Sequence, residues 1–260
     1  DDALKLLENE KGVEYTMKPG LSEDDLAEEL KNYDALIIRS GTTVTPKVLS
    51  KTTRLKIIGR AGVGVDNVDI QTASQKGIIV MNTPDANTLS TCEQTIALIM
   101  ATARNTPQAY MSLKAKKWDR SKLTGIELYG KTLGVVGLGR IGAEVAKRMA
   151  SFGMKIIGYD PFVTKEKAES MGIEVMELAE LFKQADIITI HVPKTKDTKD
   201  LIGKAQIDTM KKNVILINCA RGGIINEQAL YEALKSGRVQ KAALDVFDKE
   251  PPFDSPLLEL

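Results

Sequence analysis

The run Gly137-Leu138-Gly139-Arg140-Ile141-Gly142 carries the most specific chemistry in this sequence. It follows the β-branched run Thr132–Val136 and leads into a helical pattern over Ala143–Ala150, the setting that a phosphate-binding glycine turn needs. In such a turn Gly137 permits the tight bend, Gly139 lets a pyrophosphate approach the backbone, and Gly142 lets helix and strand pack closely. The helix start then offers unpaired N–H groups and a positive dipole end to the phosphates. Asp160 ends the next apolar run, Met154–Tyr159, roughly where a ribose-binding acid belongs, ~20 residues on. A carboxylate there accepts from both ribose hydroxyls and repels a 2′-phosphate, so the two signals together predict NAD rather than NADP.

A second glycine-rich run, Gly59-Arg60-Ala61-Gly62-Val63-Gly64-Val65-Asp66-Asn67, fails the same pattern because Asn67 stands where the third glycine would be. It reads either as a plain turn or as a loop whose exposed N–H groups could hold a small anion.

A nicotinamide cofactor implies hydride transfer. On a 2-hydroxy acid that chemistry requires a cation for the carboxylate, an acid/base for the hydroxyl proton and a group that tunes the base. Two segments after strand-like runs supply candidates: Asn218-Cys219-Ala220-Arg221-Gly222-Gly223 and Asp245-Val246-Phe247-Asp248-Lys249-Glu250-Pro251. The planar fork of Arg221 suits a carboxylate better than a lysine would. Glu250 by itself is an ordinary loop carboxylate. His191 is the sole histidine, and within Ile190-His191-Val192-Pro193 it reads as a packed or capping residue rather than the acid/base.

The elements that must position these groups alternate regularly. In the last half, strands are expected at Thr132–Val136, Lys155–Tyr159, Asp186–Ile190, Val214–Asn218 and Ala242–Val246, with helices at Ile141–Phe152, Leu178–Lys183 and Glu227–Ser236. In the first third, strands are expected at Val13–Met17, Ala35–Arg39, Leu55–Gly59 and Ile78–Met81. A capping box at Ser22/Asp25 should start a helix over Asp24–Asn32, and Pro46 should open a short one. A long helix is expected over about Ser90–Arg104, followed by a polar, mixed stretch over Thr106–Tyr129. The chain opens on a helical pattern, Asp2–Glu10, so a preceding strand is expected to be missing. Short apolar runs between amphipathic helices argue for parallel sheets covered by helices. No internal repeat or low-complexity tract is visible.

With 260 residues the chain can hold two modest domains and a sizeable core. Its 36 Lys+Arg against 35 Asp+Glu leave no net field for nucleic acid or an anionic membrane. One histidine excludes a multi-histidine metal site, so no metal is expected. The two cysteines, Cys92 and Cys219, form no CxxC pair and read as reduced thiols of a cytoplasmic protein, though one disulfide is chemically compatible. No apolar run approaches ~18 residues, so no membrane span is expected, and no cationic apolar leader stands at Asp1.

Taken in order, Gly137–Gly142, Tyr159-Asp160-Pro161, His191-Val192-Pro193, Asn218–Gly223 and Asp245–Pro251 resemble the D-isomer-specific 2-hydroxyacid dehydrogenase family over essentially the whole chain. Ile38-Arg39-Ser40, Gly59–Asp66, Asn82-Thr83-Pro84 and Ala242–Phe247 are similar to its members that act on a phosphorylated substrate. The resemblance implies an α/β protein of two Rossmann-like domains with parallel sheets. A flavodoxin-like substrate domain would span 1–84 and an NAD-binding domain 85–260, with the active site in a cleft that closes to exclude water. It implies that Arg221 binds the substrate carboxylate and carbonyl, and that Glu250 pairs with, orients and raises the pKa of a histidine acid/base. Arg39, Ser40 and Asn87 would line the substrate pocket, with the backbone of Val63 and Gly64 at the carboxylate. Val63, Gly137, Gly139, Arg140, Ile141, Gly142, Asp160, Val192, Pro193, Cys219, Ala220, Arg221 and Asp245 would contact NAD.

In the family that histidine follows the glutamate a short way downstream, beyond Leu260, as does a closing helix, so both ends of the chain are expected to be truncated. The family also implies a homodimer built through the NAD domain. Trp118 and Arg120 would then lie near the partner subunit, or else belong to a solvated charge run. Two rival readings differ in kind: another family member reducing hydroxypyruvate, glyoxylate or pyruvate, and an NAD-sensing corepressor with little turnover.

Overall fold

The computed structural model describes residues 2–260; Asp1, the expected start of the first domain, lies outside them. The chain divides into two compact units, one ending at Ala86 and the other Asn87–Leu260. Among the described residues no helix is long and apolar enough to cross a membrane.

The first unit holds helices α1 (Asp2–Glu8), α2 (Glu23–Glu29), α3 (Pro46–Ser50) and α4 (Ile70–Gln75), with a 3₁₀ turn at Leu30–Asn32. Its strands β1 (Ala35–Ile38), β2 (Ile57–Arg60) and β3 (Ile79–Asn82) pair in parallel in the order β1-β2-β3. That sequential order is the one a flavodoxin-like sheet shows on one side of its switch point. Ile38, Ile58 and Ile78 bury against Leu26, Leu30, Val48 and Leu49 of the helices, forming this unit's core. Ser22 and Thr45 cap α2 and α3 by accepting the N–H groups of Asp25 and Val48, the starts that Ser22 and Pro46 marked in the sequence.

The second unit contains α5 (Thr88–Arg104), α6 (Thr106–Lys114), β4 (Thr132–Val136), α7 (Arg140–Ala150), β5 (Lys155–Tyr159), α8 (Lys165–Glu169) and β6 (Glu174–Val175). It continues through α9 (Leu178–Gln184), β7 (Ile187–Ile190), α10 (Lys204–Thr209), β8 (Val214–Asn218), α11 (Glu227–Lys235) and β9 (Val239–Leu244). The six strands are all parallel, in the order β6-β5-β4-β7-β8-β9. This is the doubly wound Rossmann order, whose direction reverses between β4 and β7. Burial follows the pleat. Leu133, Val135, Ile187, Ile215 and Ile217 pack on one side with Cys92, Ile99, Val145 and Met149 of α5 and α7. Val136, Ile188, Ile190, Val214 and Leu216 pack on the other with Leu181, Phe182, Ile207 and Leu230 of α9, α10 and α11. With both faces covered, the central strands β4, β7 and β8 read as mostly apolar runs.

Several expectations need correction. Val13–Met17 is no strand: it has no ladder partner among the described residues, and Val13, Tyr15 and Met17 are exposed. The last strand is Val239–Leu244 rather than Ala242–Val246, because Val239 is fully buried beside Val214 while Asp245 and Val246 leave into the loop. The stretch after Arg104 begins with α6, which has no buried residue, so no apolar periodicity marks it. Helices α4, α8 and α10 and strand β6 are short elements whose patterns did not stand out.

One cation joins the end of α5 to β9. Lys241 donates from Nζ to Thr102 O at 3.1 Å and to Asn105 Oδ1, and Asn105 is the left-handed C-cap of α5. An ammonium there also complements the negative end of the helix, although burial lowers its pKa. Lys241→Met preserves the aliphatic stem and removes the donor, so it should cost about 1–3 kcal/mol. Thermal unfolding of the two proteins checks this; an unchanged midpoint would show that water replaces the amine at no cost.

Candidate functional site

The glycine turn sits where β4 meets α7. Gly137 has φ +96°, and a Cβ there would lie 2.7 Å from the His191 carbonyl oxygen and 2.9 Å from Val192 Cγ1. A Cβ on Gly142 would lie 1.9 Å from the Gly137 carbonyl oxygen. Both glycines are therefore demanded by the protein's own packing. Gly139 is different. Its φ of −65° suits any residue, and nothing lies within 4 Å of where its Cβ would be. Gly139 is also the N-cap of α7 and makes no side-chain cap. An uncapped helix start behind a glycine that protein packing does not need fits a phosphate group resting on the backbone.

Asp160 follows β5 and is fixed from two sides. Its Oδ2 accepts the Leu138 N–H of the glycine turn and its Oδ1 accepts the Phe162 N–H, both at 2.8 Å. A carboxylate offers about four lone-pair sites, so both oxygens keep capacity for ribose hydroxyls.

His191 follows β7, and its N–H donates to Val136 O at 2.7 Å, extending the β4–β7 ladder to the turn. The residue is half-buried, but its Nδ1 is sealed off without a hydrogen-bond partner, and Nε2 lies 2.9 Å from Thr189 Oγ1. Burial pushes its pKa down to about 4. Val192 and Pro193 continue this loop beside Gly137.

Cys219, Ala220 and Arg221 follow β8. The loop is shaped by buried Asn218, whose Oδ1 accepts Ala220 N–H at 3.0 Å and whose Nδ2 donates to Arg221 O at 2.9 Å. Arg221 donates from one guanidinium nitrogen to Ala220 O at 2.7 Å. Burial raises the Cys219 thiol to about 11, against the opposing hydrogen bond from Thr95. The loop after β9 lies against this one. Asp245 N–H donates to Asn218 O at 2.9 Å, and a Cβ on Gly222 would lie 1.9 Å from Phe247 O. Asp245 Oδ1 accepts from Gln94 Nε2 at 3.1 Å, and Glu250 Oε1 accepts Phe247 N–H at 3.0 Å.

The second unit thus gathers Gly137–Gly142, Asp160, Val192, Pro193, Cys219–Arg221 and Asp245 at the C-terminal ends of β4, β5, β7, β8 and β9. Ligands bind at that edge of open parallel sheets, at the point where strand order reverses. Asn87 opens α5 in the same unit without a side-chain cap. Glu250 lies farther along the β9 loop.

Arg39, Ser40, Val63 and Gly64 belong to the first unit. Arg39 and Ser40 are exposed at the end of β1, and Asn67 Nδ2 ties that loop down by donating to Arg39 O at 2.9 Å and Thr42 O at 2.5 Å. Val63 O accepts from Asn82 Nδ2 at 2.6 Å. Among the described residues no protein acceptor meets the Val63 or Gly64 N–H. Sequence reasoning passed over Arg60, whose guanidinium folds across Gly62 with its Nε buried and unpartnered. The available signal was an arginine at a strand end inside a glycine loop. Gln94, Asn67 and Glu227 were also missed, because their partners are distant in sequence.

Residues 96–260 match the sequence pattern of the D-isomer specific 2-hydroxyacid dehydrogenase, NAD binding domain. The chain is 58% identical to a D-3-phosphoglycerate dehydrogenase of Methanocaldococcus jannaschii, over 100% of this chain and 49% of that protein. It is 54% identical to the Archaeoglobus fulgidus protein of the same name, over 96% of this chain and 47% of that one. The chain therefore spans about half the length of these curated relatives. Among solved structures, D-lactate dehydrogenase from Aquifex aeolicus, complexed with NAD and lactic acid, superposes with a TM-score of 0.82 at 35% identity, covering 90% of this chain and 69% of that one. The chain belongs to the D-isomer-specific 2-hydroxyacid dehydrogenases, and its second unit carries their NAD-binding domain.

Proposed function

We propose that this protein oxidises D-3-phosphoglycerate to 3-phosphohydroxypyruvate with NAD, a step of serine biosynthesis. The observation that carries this reading is the contrast in identity. It is 58% and 54% to proteins named for that reaction, but 35% to a D-lactate dehydrogenase of the same family.

NAD, when bound, accepts the hydride. The chain's own residues bind and orient. The start of α7 and the backbone at Gly139, Arg140 and Ile141 hold the pyrophosphate, and Asp160 takes the ribose hydroxyls. Val63, Val192, Pro193, Cys219, Ala220 and Asp245 contact the rest of the dinucleotide. Arg221 holds the substrate carboxylate and polarises the C2 oxygen, with the Val63 and Gly64 N–H groups as further carboxylate donors. Arg39 takes the phosphate with Ser40, and the family pattern assigns Asn87 to the substrate as well. Glu250 orients the histidine that removes the hydroxyl proton and keeps it basic, a histidine that the family pattern places downstream. Exposed Tyr110, Met111, Leu113 and Trp118 supply the second unit with apolar surface suited to a homodimer, which we place in the cytoplasm. Steady-state rates with NAD on D-3-phosphoglycerate, glycerate, lactate and hydroxypyruvate test the substrate; equal efficiency on glycerate would overturn it.

Asp160→Asn keeps an acceptor for the Leu138 N–H while removing the charge. The preference for NAD over NADP should then narrow by on the order of tenfold or more, the equivalent of losing about 1.5 kcal/mol of charged hydrogen bonding. Titrating both cofactors against native and variant protein reads this directly, and an unmoved ratio would remove Asp160 from the ribose site.

For Arg39→Ala, the loss in kcat/KM for the phosphorylated substrate should be about 1.5–3 kcal/mol. Unphosphorylated analogues should scarcely respond. A matching loss on both would assign Arg39 to the carboxylate or to folding instead.

His191 offers a sign test. The unfolded side chain titrates near 6.5 and the folded one near 4. As pH falls the unfolded chain binds the proton first, so this group subtracts stability progressively from about pH 6.5 down to about 4. His191→Gln should abolish that acid-side loss and leave most turnover intact. Melting curves against pH and steady-state rates measure the two; a dead variant with a normal melt would make His191 the acid/base.

A further inference from the structure

Glu227 is the first residue of α11, a position where the helix end favours a carboxylate. Its two oxygens are nevertheless engaged by another segment. Oε1 accepts the Asp248 N–H at 2.6 Å, and Oε2 accepts the Ser255 hydroxyl at 3.0 Å. The loop between those residues carries Glu250. One carboxylate therefore holds the entry and the exit of the segment that presents Glu250.

Other contacts on that segment are few: Lys249 pairs with Asp254 at 2.8 Å, Ser255 N–H donates to Pro252 O at 2.9 Å, and Leu257 beyond it packs on the core. A hollow of about 390 Å³ lies against it, lined by Glu227, Lys199, Asp248, Asp254, Ser255 and Pro256 among others. The loop's large apolar side chain, Phe253, is 81% exposed and anchors nothing. At the entry, Asp248 also pairs with Lys194 at 2.8 Å, and Gly222 leaves room for the Phe247 carbonyl. Those contacts fix where the loop begins. The Ser255 arm ties its return to the start of α11, next to Leu257 packed on the core.

We infer that Glu227 is a positioning residue for Glu250: its carboxylate clamps both ends of the Asp248–Ser255 loop and so sets where the Glu250 carboxylate sits. This rests on the reading of Glu250 as the group that orients the acid/base. Removing the clamp weakens that orientation without touching cofactor or substrate. The rate should fall while NAD binding holds, and the base should become less basic as its carboxylate partner drifts.

The experiment compares Glu227→Ala, Glu227→Gln, Ser255→Ala and Glu250→Gln in the complete natural chain, by pH profiles of kcat and kcat/KM. Glu227→Ala should lower kcat roughly tenfold, part of the ~10²–10⁴-fold that a positioned acid or base contributes, with the KM for NAD little changed. Its acidic limb should move to lower pH, in the same direction as in Glu250→Gln. In Glu227→Gln the amide oxygen can accept the Asp248 N–H and the amide nitrogen can donate to Ser255, so this variant should run near the native rate. Equal damage in the Ala and Gln variants, or an Ala variant whose profile matches the native one while that of Glu250→Gln shifts, overturns the clamp and leaves the role of Glu250 standing. A Glu250→Gln profile identical to native overturns the reading of Glu250, and the inference with it. Should Glu227→Ala fail to fold, Ser255→Ala removes one arm alone. A partial shift then supports the clamp, and none overturns it.

Discussion

The architecture of the second unit turns on the contact between α7 and the turn that precedes it. A Cβ on Gly142 would sit 1.9 Å from the Gly137 carbonyl oxygen, a distance no side chain can occupy. Only with hydrogen at that position can α7 lie close enough to β4 for its first turn to face the switch point. The same turn is pressed from the other side, where a Cβ on Gly137 would meet the His191 carbonyl. The exit of β7 and the start of α7 thus share one narrow space. Val145 and Met149 then bury fully against the sheet, and the helix direction that aims N–H groups at a phosphate follows from that seating.

Around this fixed point the site is built by loops that hold each other rather than by the sheet alone. Asp160 grips the glycine turn through the Leu138 N–H, so the group suited to ribose is positioned by the group suited to pyrophosphate. Asn218 shapes the Arg221 loop from within, and the β9 loop fits into the space left by Gly222. The chain as a whole is almost neutral, with 36 basic and 35 acidic residues. Attraction for an anionic ligand must therefore come from oriented backbone and a few placed arginines, and these contacts are what orient them.

The parts of this arrangement that were legible in the sequence are those whose signals are local. The glycine turn announces itself because three constraints fall within six residues, and β4, β5, β7 and β8 because each carries a buried, mostly apolar stretch. Ser22 marks one helix start through a bond to a residue three positions on, and Pro46 in the first turn marks another. The end of β9 was misplaced because Ala242–Val246 is as apolar as Val239–Leu244, and only pairing with Val214 separates them. Helix α6 was invisible because Tyr110, Met111 and Leu113 are all exposed, leaving no stripe to count. Asn67, Gln94 and Glu227 could not be read at all. Each acts on a partner brought near by the fold, and an isolated polar residue carries no record of that.

The distribution of charge in the dinucleotide edge follows from its burial. His191 is driven to about 4 and Cys219 to about 11, each mainly by loss of water around it. At neutral pH both are uncharged, the imidazole without its extra proton and the thiol with its own. Neither therefore adds charge beside the start of α7. Desolvation at these two positions penalises added charge. Glu250, exposed on the β9 loop and hydrogen-bonded to Phe247 N–H, lies outside that buried environment.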